Sequence, residues 1–165
     1  MSALPVRDRV RRLLAQHTTL VLATAGEDGA PWACALFYAL DEDGLSPLVV
    51  SSAGSRHAAN LAARPSAAAA VNAQHDEWRT VEGVQLEGPV ELLAGDARAR
   101  ALARYLERFP WLGALDADDA AERRIREHLA AADVYRLRPE RLVLVENARG
   151  FGVRQVIDAS AGRVV

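Results

Sequence analysis

The residues best suited to chemistry lie in the segment 51–57, which reads Ser-Ser-Ala-Gly-Ser-Arg-His. An apolar run precedes this segment and a short helical stretch that ends at Pro65 follows it, an order typical of strand, turn and helix. Ser55 is suited to cap the helix, whose first backbone N–H groups lack partners inside the helix. Arg56 and His57 therefore lie where a helix start attracts anions, which favours a phosphate monoester as ligand. The alternative is an ordinary capped helix with a solvated arginine.

The size and composition of the chain predict one domain that spans residues 1–165. Half of its 165 residues are hydrophobic and a quarter are charged, and the net charge is −2. This balance suits a hydrophobic core and offers no electrostatic basis for binding nucleic acid or an anionic membrane. Cys34 is the only cysteine, which excludes an internal disulfide and a cysteine-based metal cluster and suits the cytoplasm. The four histidines show no metal-ligand spacing.

The first half of the chain predicts an antiparallel sheet preceded by an amphipathic helix that ends near His17. Three β-rich segments, 18–24, 32–40 and 45–52, are joined by short turns rich in glycine and acidic residues, as in a meander of hairpins. Propensity favours a helix for the alanine-rich segment 66–72. We nevertheless predict a strand there, because the meander needs a pairing partner.

The second half predicts more strands around a helical insertion. Residues 80–93 alternate between apolar and polar side chains and indicate a long half-buried strand, with bends at Gly83 and Gly88. Two helices, one from Asp96 to Pro110 and one over 116–131, are followed by short strands at 134–137 and 142–146 and a last one within 151–157. The fold class is therefore mainly β (α+β): a closed antiparallel barrel of six to seven strands with flanking helices.

Several motifs occur in a characteristic order along residues 6–157. They are the acidic turn 41–44, the strand 48–52, Ser55-Arg56-His57, Arg64-Pro65, the stretch 83–88, Arg108-Phe109-Pro110 and Arg149-Gly150-Phe151-Gly152. Together they resemble the pyridoxamine-phosphate-oxidase-like split barrels, and most of all the small bacterial branch that includes the YhbP-like proteins. The resemblance implies an FMN-binding split β-barrel and a homodimer that holds the cofactor in the dimer groove.

The resemblance also implies which residues bind the flavin. In the family, a Ser-Arg-Lys turn after the third strand holds the FMN phosphate, and Ser55, Arg56 and His57 occupy the matching positions. His57 would be charged beside a phosphate, or it is a surface histidine. The other implied residues are Ser51 and Ser52 as hydroxyl donors, Ala35, Leu36, Phe37 and Tyr38 along the ring edge, Gln85 at the pyrimidine, and Arg149 and Phe151 reaching the partner's flavin.

Each of these implied roles has a plain structural alternative. Phe37 is suited to the core, Gln85 to an exposed strand face, and Phe151 to a local hydrophobic anchor. Tyr38 would either cover the flavin ring or contact the phosphate side. Cys34, flanked by alanines in a strand, is expected to be a small buried hydrophobic residue. Trp32, Trp78 and Trp111 are expected in the core, in loops or at an interface.

The chain departs from the oxidase at the positions that bind its substrate. Ala33 and Tyr38 stand where the oxidase has arginine and lysine, and residues 82–84 stand near its Arg-Gln-Val. The segment 149–152 replaces its C-terminal Arg-x-His-x-Arg. The basic residues that handle the pyridoxal substrate are therefore mostly missing, which argues against vitamin B6 oxidation.

The expected function is a flavin-dependent oxidoreductase that acts on a small molecule, with no catalytic acid identified among the residues. One alternative is a non-catalytic flavin- or haem-binding carrier or sensor, in which His57 or His128 would ligate the haem. A second is a reductase that uses the deazaflavin F420 in the same groove. A third is a barrel without cofactor that acts as a dimeric interaction module.

Overall fold

The computed structural model describes residues 4–159 and 163–164, which contain four α-helices and nine β-strands. In chain order the elements are α1 (Val6–Gln16), β1 (Thr19–Ala25), β2 (Pro31–Leu40), β3 (Pro47–Ser51), α2 (Arg56–Ala63), β4 (Ser66–Asn72), β5 (Glu82–Leu92), α3 (Gly95–Arg108), α4 (Ala120–Ala131), β6 (Asp133–Leu137), β7 (Arg141–Glu146), β8 (Arg154–Asp158) and β9 (Arg163–Val164).

Six of the strands close into an antiparallel barrel in the order β1-β2-β3-β6-β5-β4, and β7, β8 and β9 extend the sheet from β5. Closure depends on the length of β5, which pairs with β4 and β7 along its first part and with β6 at its end. The strand passes from one neighbour to the other at Gly88. A Cβ at this position would lie 2.1 Å from the carbonyl oxygen of Arg138, so the close backbone approach requires glycine.

Helices α1 and α2 both pack into the barrel core. From α1 the buried residues include Val10 and Leu14, and from α2 they include Ala58 and Leu61. Arg9, which is itself buried, binds Glu146 on β7 and Gln155 on β8, so α1 is also tied to the sheet by polar contacts. The two helices thus bury apolar stripes that would otherwise face water.

Helices α3 and α4 form an insertion outside the barrel. Helix α3 packs Tyr105 against Ala39 of β2 and Ala101 against Leu48 of β3. Helix α4 has no buried residue. None of the described helices is both long and apolar enough to span a lipid bilayer.

The structure confirms the predicted barrel, including the strand at 66–72, and moves several element ends. The helix predicted over 116–131 begins at Ala120, because the Asp119 carboxylate caps it by accepting from two backbone amides. The third strand begins at Pro47 because Asp43 accepts hydrogen bonds from the amides of the two residues before it. The last predicted strand begins at Arg154, since residues 147–153 form a turn.

Candidate cofactor site

The start of α2 is built as an anion cradle next to the end of β3. Ser55 is the N-cap, and its hydroxyl oxygen accepts from the Ala58 amide at 3.2 Å. The amides of Arg56 and His57 lie in the first turn and have no acceptor inside the helix. Two further hydroxyls come from Ser51, at the end of β3, and from Ser52 beside it. The cradle therefore combines free backbone donors, serine hydroxyls and the positive end of a helix.

Arg56 supplies the positive charge of this cradle. Its side chain is exposed, and its guanidinium carbon lies 4.6 Å from the centre of the Trp32 ring on β2. This cation–π contact holds the planar group while leaving its N–H groups free. No carboxylate pairs with Arg56 within the described chain, so its fork is available to an oxyanion.

His57 is a buried residue and not the surface histidine of the alternative interpretation. Its imidazole is only 6% exposed, with Nε2 2.6 Å from the Ser51 hydroxyl and 3.1 Å from that of Ser55. Nδ1 faces the Cys34 sulfur at 3.5 Å. Burial lowers the pKa of His57, which favours the neutral imidazole. Both of its ring nitrogens already have partners in the protein, and the side chain links α2 to β2 and β3.

Cys34 and the two serines form one polar cluster with His57. Burial raises the pKa of the Cys34 thiol, and its Sγ contacts both Nδ1 of His57 and the carbonyl oxygen of Leu22, the latter at 3.9 Å. Ser51 contacts Nε2 of His57 and donates from its hydroxyl to Ser55 at 3.3 Å. Cys34 is thus half-buried and hydrogen-bonded, instead of being the purely hydrophobic residue that its alanine neighbours indicated. The cluster orients the Ser51 and Ser55 hydroxyls of the cradle.

The backbone of β2 forms an open edge beside the cradle. Residues 31–37 of β2 pair with β1, but the pairing of β2 with β3 covers only 38–40. Tyr38 donates its N–H to Thr18 on the β1 side, so alternation along the strand points the N–H and C=O groups of Ala35 and Phe37 toward the open side. These groups offer two donors and two acceptors to a planar ligand.

A cavity of about 180 Å³ continues from the cradle. Phe37 of β2 and the pair Ser51 and Ser52 line one side of it. The opposite side comes from the helical insertion and consists of Tyr105, Trp111, Leu112, Ile125, His128, Leu129 and Ala132. The ring of Phe37 packs edge-on against Trp111, with centroids 6.3 Å apart. The lining is thus mostly apolar and aromatic, and its polar groups include the His128 imidazole and the Tyr105 phenol.

The contributions of Trp111 and His128 have no signal in the sequence. An apolar stripe on a helix has the same period whether it faces a core or a cavity. The contact between Arg56 and Trp32 joins residues 24 positions apart, which leaves no local pattern either.

Other implied residues lie outside the cradle. Tyr38 is buried in the core, where its hydroxyl donates to the carbonyl of Leu14 and burial raises the pKa of its phenol. Gln85 is exposed on β5 between Ala70 and Val143. The Tyr38 hydroxyl therefore points into the barrel, and the expected contact of Tyr38 with a flavin stays a prediction.

Arg149 and Phe151 lie in the turn between β7 and β8, and both are exposed. Phe151 is 81% exposed and meets only the edge of Trp78, with ring centroids 5.6 Å apart. Asn147 holds the turn by accepting from the Gly152 amide and donating to the Trp78 carbonyl. The turn thus presents an aromatic ring to solvent.

Comparison with known sequences places these features in a family context. Residues 6–146 match the family model described as pyridoxamine 5'-phosphate oxidase. A UPF0306 protein from Klebsiella pneumoniae (strain 342) is 30% identical over 142 residues, which cover 86% of this chain and 85% of the relative. A UPF0306 protein from Yersinia pseudotuberculosis (strain YPIII) is 28% identical, with the same coverage.

Solved structures share the fold. A haem-binding protein from Mycobacterium smegmatis is 25% identical with a TM-score of 0.76; the match covers 98% of this chain but only 61% of that protein. The haem storage protein HutZ from Vibrio cholerae is 18% identical with a TM-score of 0.63, over 83% of this chain and 92% of HutZ. A pyridoxamine 5'-phosphate oxidase-related, FMN-binding protein from Nostoc punctiforme is 16% identical with a TM-score of 0.66; the match covers 100% of this chain and 97% of that protein. The last two comparisons establish the fold alone.

Proposed function

Because the chain belongs to the pyridoxamine 5'-phosphate oxidase family, we propose that it binds flavin mononucleotide with the phosphate at the start of α2. The observation that carries this proposal is the unpaired fork of Arg56 beside two free helix amides and the hydroxyls of Ser51 and Ser55. A phosphate monoester accepts from the Arg56 fork and from the two helix amides, which the protein alone leaves without acceptors.

The flavin ring is proposed to lie along the open edge of β2. The backbone groups of Ala35 and Phe37 match the alternating donors and acceptors of an isoalloxazine pyrimidine, and the Phe37 ring lines the adjoining cavity. This cavity of about 180 Å³ is small compared with typical ligand sites of roughly 300–1,000 Å³. One protomer therefore encloses only part of a flavin, and we propose that a second copy covers the rest.

A second copy is proposed to pack on the outer face of β1, β2 and β4. Val21 is 44% exposed there and pairs in register with Ala35 on one side and Ala70 on the other. Such small apolar side chains form a surface that a symmetry-related copy can bury. Gln85 continues the same face and Phe151 projects from a neighbouring turn, so both are candidates to reach a cofactor across this interface.

Flavin bound in this way would supply hydride or electron transfer between a nicotinamide-type donor and a small acceptor. The residues of this chain do the binding and positioning. The cradle anchors the phosphate, the β2 edge orients the ring, and the aromatic insertion around Trp111 excludes water from one side. This chain lacks most of the basic residues with which the oxidase binds its substrate. We therefore propose that its substrate is not pyridoxamine phosphate.

The test is a flavin titration of wild-type protein and the Arg56→Ala variant. We expect the dissociation constant for FMN, measured by quenching of flavin fluorescence, to rise about 10- to 100-fold, since hydrogen bonds to charged groups contribute roughly 1.5–3 kcal/mol. Arg124→Ala, on the exposed face of α4, is the matched control and should bind like wild type. An unchanged affinity in Arg56→Ala would remove the phosphate role.

Haem is the second candidate cofactor, and His128 is the observation in its favour. This imidazole is exposed on the wall of an aromatic-lined cavity, whereas both ring nitrogens of His57 are engaged. The similarity to the mycobacterial haem-binding protein adds support. A Soret band that shifts in His128→Ala, together with FMN affinity unaffected by Arg56→Ala, would favour haem. Native mass spectrometry of the purified protein distinguishes FMN, F420 and haem by cofactor mass.

A further inference from the structure

A second, larger cavity lies at the other end of β3. Its volume is about 480 Å³, and it is enclosed by the start of α1, the turn between β2 and β3, the first half of α3 and the turn between β6 and β7. Leu45 and Ser46 line this cavity just before β3 begins, while Ser51 ends the same strand at the cradle. The rise along β3 places the two sites roughly 13 Å or more apart. The proposed flavin site does not include this cavity.

The lining of this cavity carries an excess of positive charge. Five guanidinium groups face three carboxylates there. The guanidinium groups belong to Arg7, Arg100, Arg104, Arg136 and Arg138, and the carboxylates to Asp41, Glu42 and Asp43.

All three carboxylates are already engaged by the protein. Asp41 pairs with Arg136 at 2.7 Å, and Glu42 pairs with Arg104 at 3.1 Å. Asp43 accepts from two backbone amides and from the Ser46 hydroxyl, which shape the turn.

The remaining charges leave two arginines without a counter-ion. Glu91 lies beside the cavity and binds both Arg136 and Arg138, at 2.9 and 3.0 Å. Within the described chain, Arg7 and Arg100 pair with no carboxylate. They come from α1 and α3, two elements that the fold brings to the same cavity.

Buried donors in the same place lack acceptors. The Nε atoms of Arg7 and Arg136 are shielded from solvent and have no hydrogen-bond partner among the described residues. Buried polar groups in folded proteins are nearly always paired, and an orphan indicates a water or an ion. These two N–H groups therefore point to an acceptor that the chain itself does not supply.

We propose that this cavity binds a small oxyanion with two or more negative charges, held between Arg7 and Arg100. The planar guanidinium fork matches phosphate and carboxylate oxygens, and two unpaired forks match two acidic groups. The volume exceeds that of a single phosphate, which favours a diphosphate or a polycarboxylate. The site is independent of the flavin cradle, because it shares no residue with it.

The test is isothermal titration of full-length protein with inorganic pyrophosphate and, separately, with citrate, at an ionic strength held constant with sodium chloride. We expect saturable binding of at least one anion, weakened about tenfold or more in Arg7→Ala and in Arg100→Ala. Arg12→Ala, on the same helix as Arg7 but outside the cavity, should bind like wild type. The anion that binds with the lower dissociation constant shows whether the site prefers phosphate or carboxylate groups.

Arg56→Ala separates this site from the cradle. It should retain anion binding to this cavity, whatever it does to FMN. Absence of binding to both anions would overturn the proposal, and so would an affinity lost in Arg56→Ala but kept in Arg100→Ala. Because Arg100 is exposed, its alanine variant is expected to fold even if Arg7→Ala does not.

Discussion

At the scale of single residues, the two basic side chains that follow Ser55 have opposite environments. Arg56 is exposed, stacked on Trp32 and free to bind an anion. His57 is buried, neutral and engaged on both ring nitrogens. Adjacent positions in a helix are separated by about 100°, so one side chain faces solvent while the next faces the barrel. We therefore propose that Arg56 binds the anion and that His57 positions the serine hydroxyls.

The buried His57 makes stability depend on pH in a defined direction. Burial lowers its pKa below the ordinary 6.5, so below pH 6.5 the unfolded chain takes up a proton that the folded chain does not. We expect the free energy of unfolding of wild type to fall from pH 7 to pH 5, and His57→Gln to lose part of this slope. Urea unfolding of both proteins at pH 7, 6 and 5 measures this dependence of the free energy of unfolding on pH.

His128→Gln is the matched control for this pH dependence. His128 is exposed on α4, so its replacement should leave the slope as in wild type. Carboxylates contribute to both proteins alike, which makes the difference between wild type and variant the relevant quantity. Identical slopes in His57→Gln and wild type would show that the imidazole does not resist protonation in the folded state.

At the scale of elements, local sequence rules account for most of the barrel. Alternating apolar residues specify strands, glycine and acidic residues specify the turns, and Ser55 specifies the start of α2. The bend of β5 shows where local rules meet a tertiary contact. Gly88 was recognisable as a bend, but the reason is the carbonyl of Arg138 from a turn 50 residues later.

The close approach at Gly88 predicts a large effect of a single methyl group. A Cβ there would clash with backbone rather than with a movable side chain. We expect Gly88→Ala to lower the free energy of unfolding by about 1–3 kcal/mol or more, as overpacking does. Gly113→Ala is the control, because its Cβ would meet only ordinary contacts at 3.5 Å. Equal urea midpoints for the two variants would contradict the close approach at the bend.

At the scale of the whole molecule, the outer face of β1, β2 and β4 is the surface best suited to self-association. Its exposed side chains include Val21 and neighbouring alanines, it adjoins the open edge of β2, and the cavity beside that edge is small for a flavin. Association on this face would therefore complete the cofactor site as well as bury apolar surface.

A charge on this face should separate the protomers. We expect Val21→Asp to shift the mass measured by light scattering after size-exclusion chromatography from dimer to monomer, and to weaken FMN binding. Leu92→Asp is the control, since Leu92 is 56% exposed on a different part of β5. A wild-type protein that is monomeric at micromolar concentration, or a Val21→Asp variant with unchanged mass, would contradict the proposed interface.

The sequence by itself determined the barrel strands, the helix start at Ser55 and the family, because these depend on short periods, caps and turns that neighbouring residues encode. Tertiary structure alone decided that Tyr38 and His57 point inward, that Cys34 contacts His57, and that Trp111 and His128 line a cavity beside Ser51. It also decided that Arg7 and Arg100 meet in one cavity. These pairs are distant in the chain, and contacts between distant residues leave no periodic pattern in the sequence.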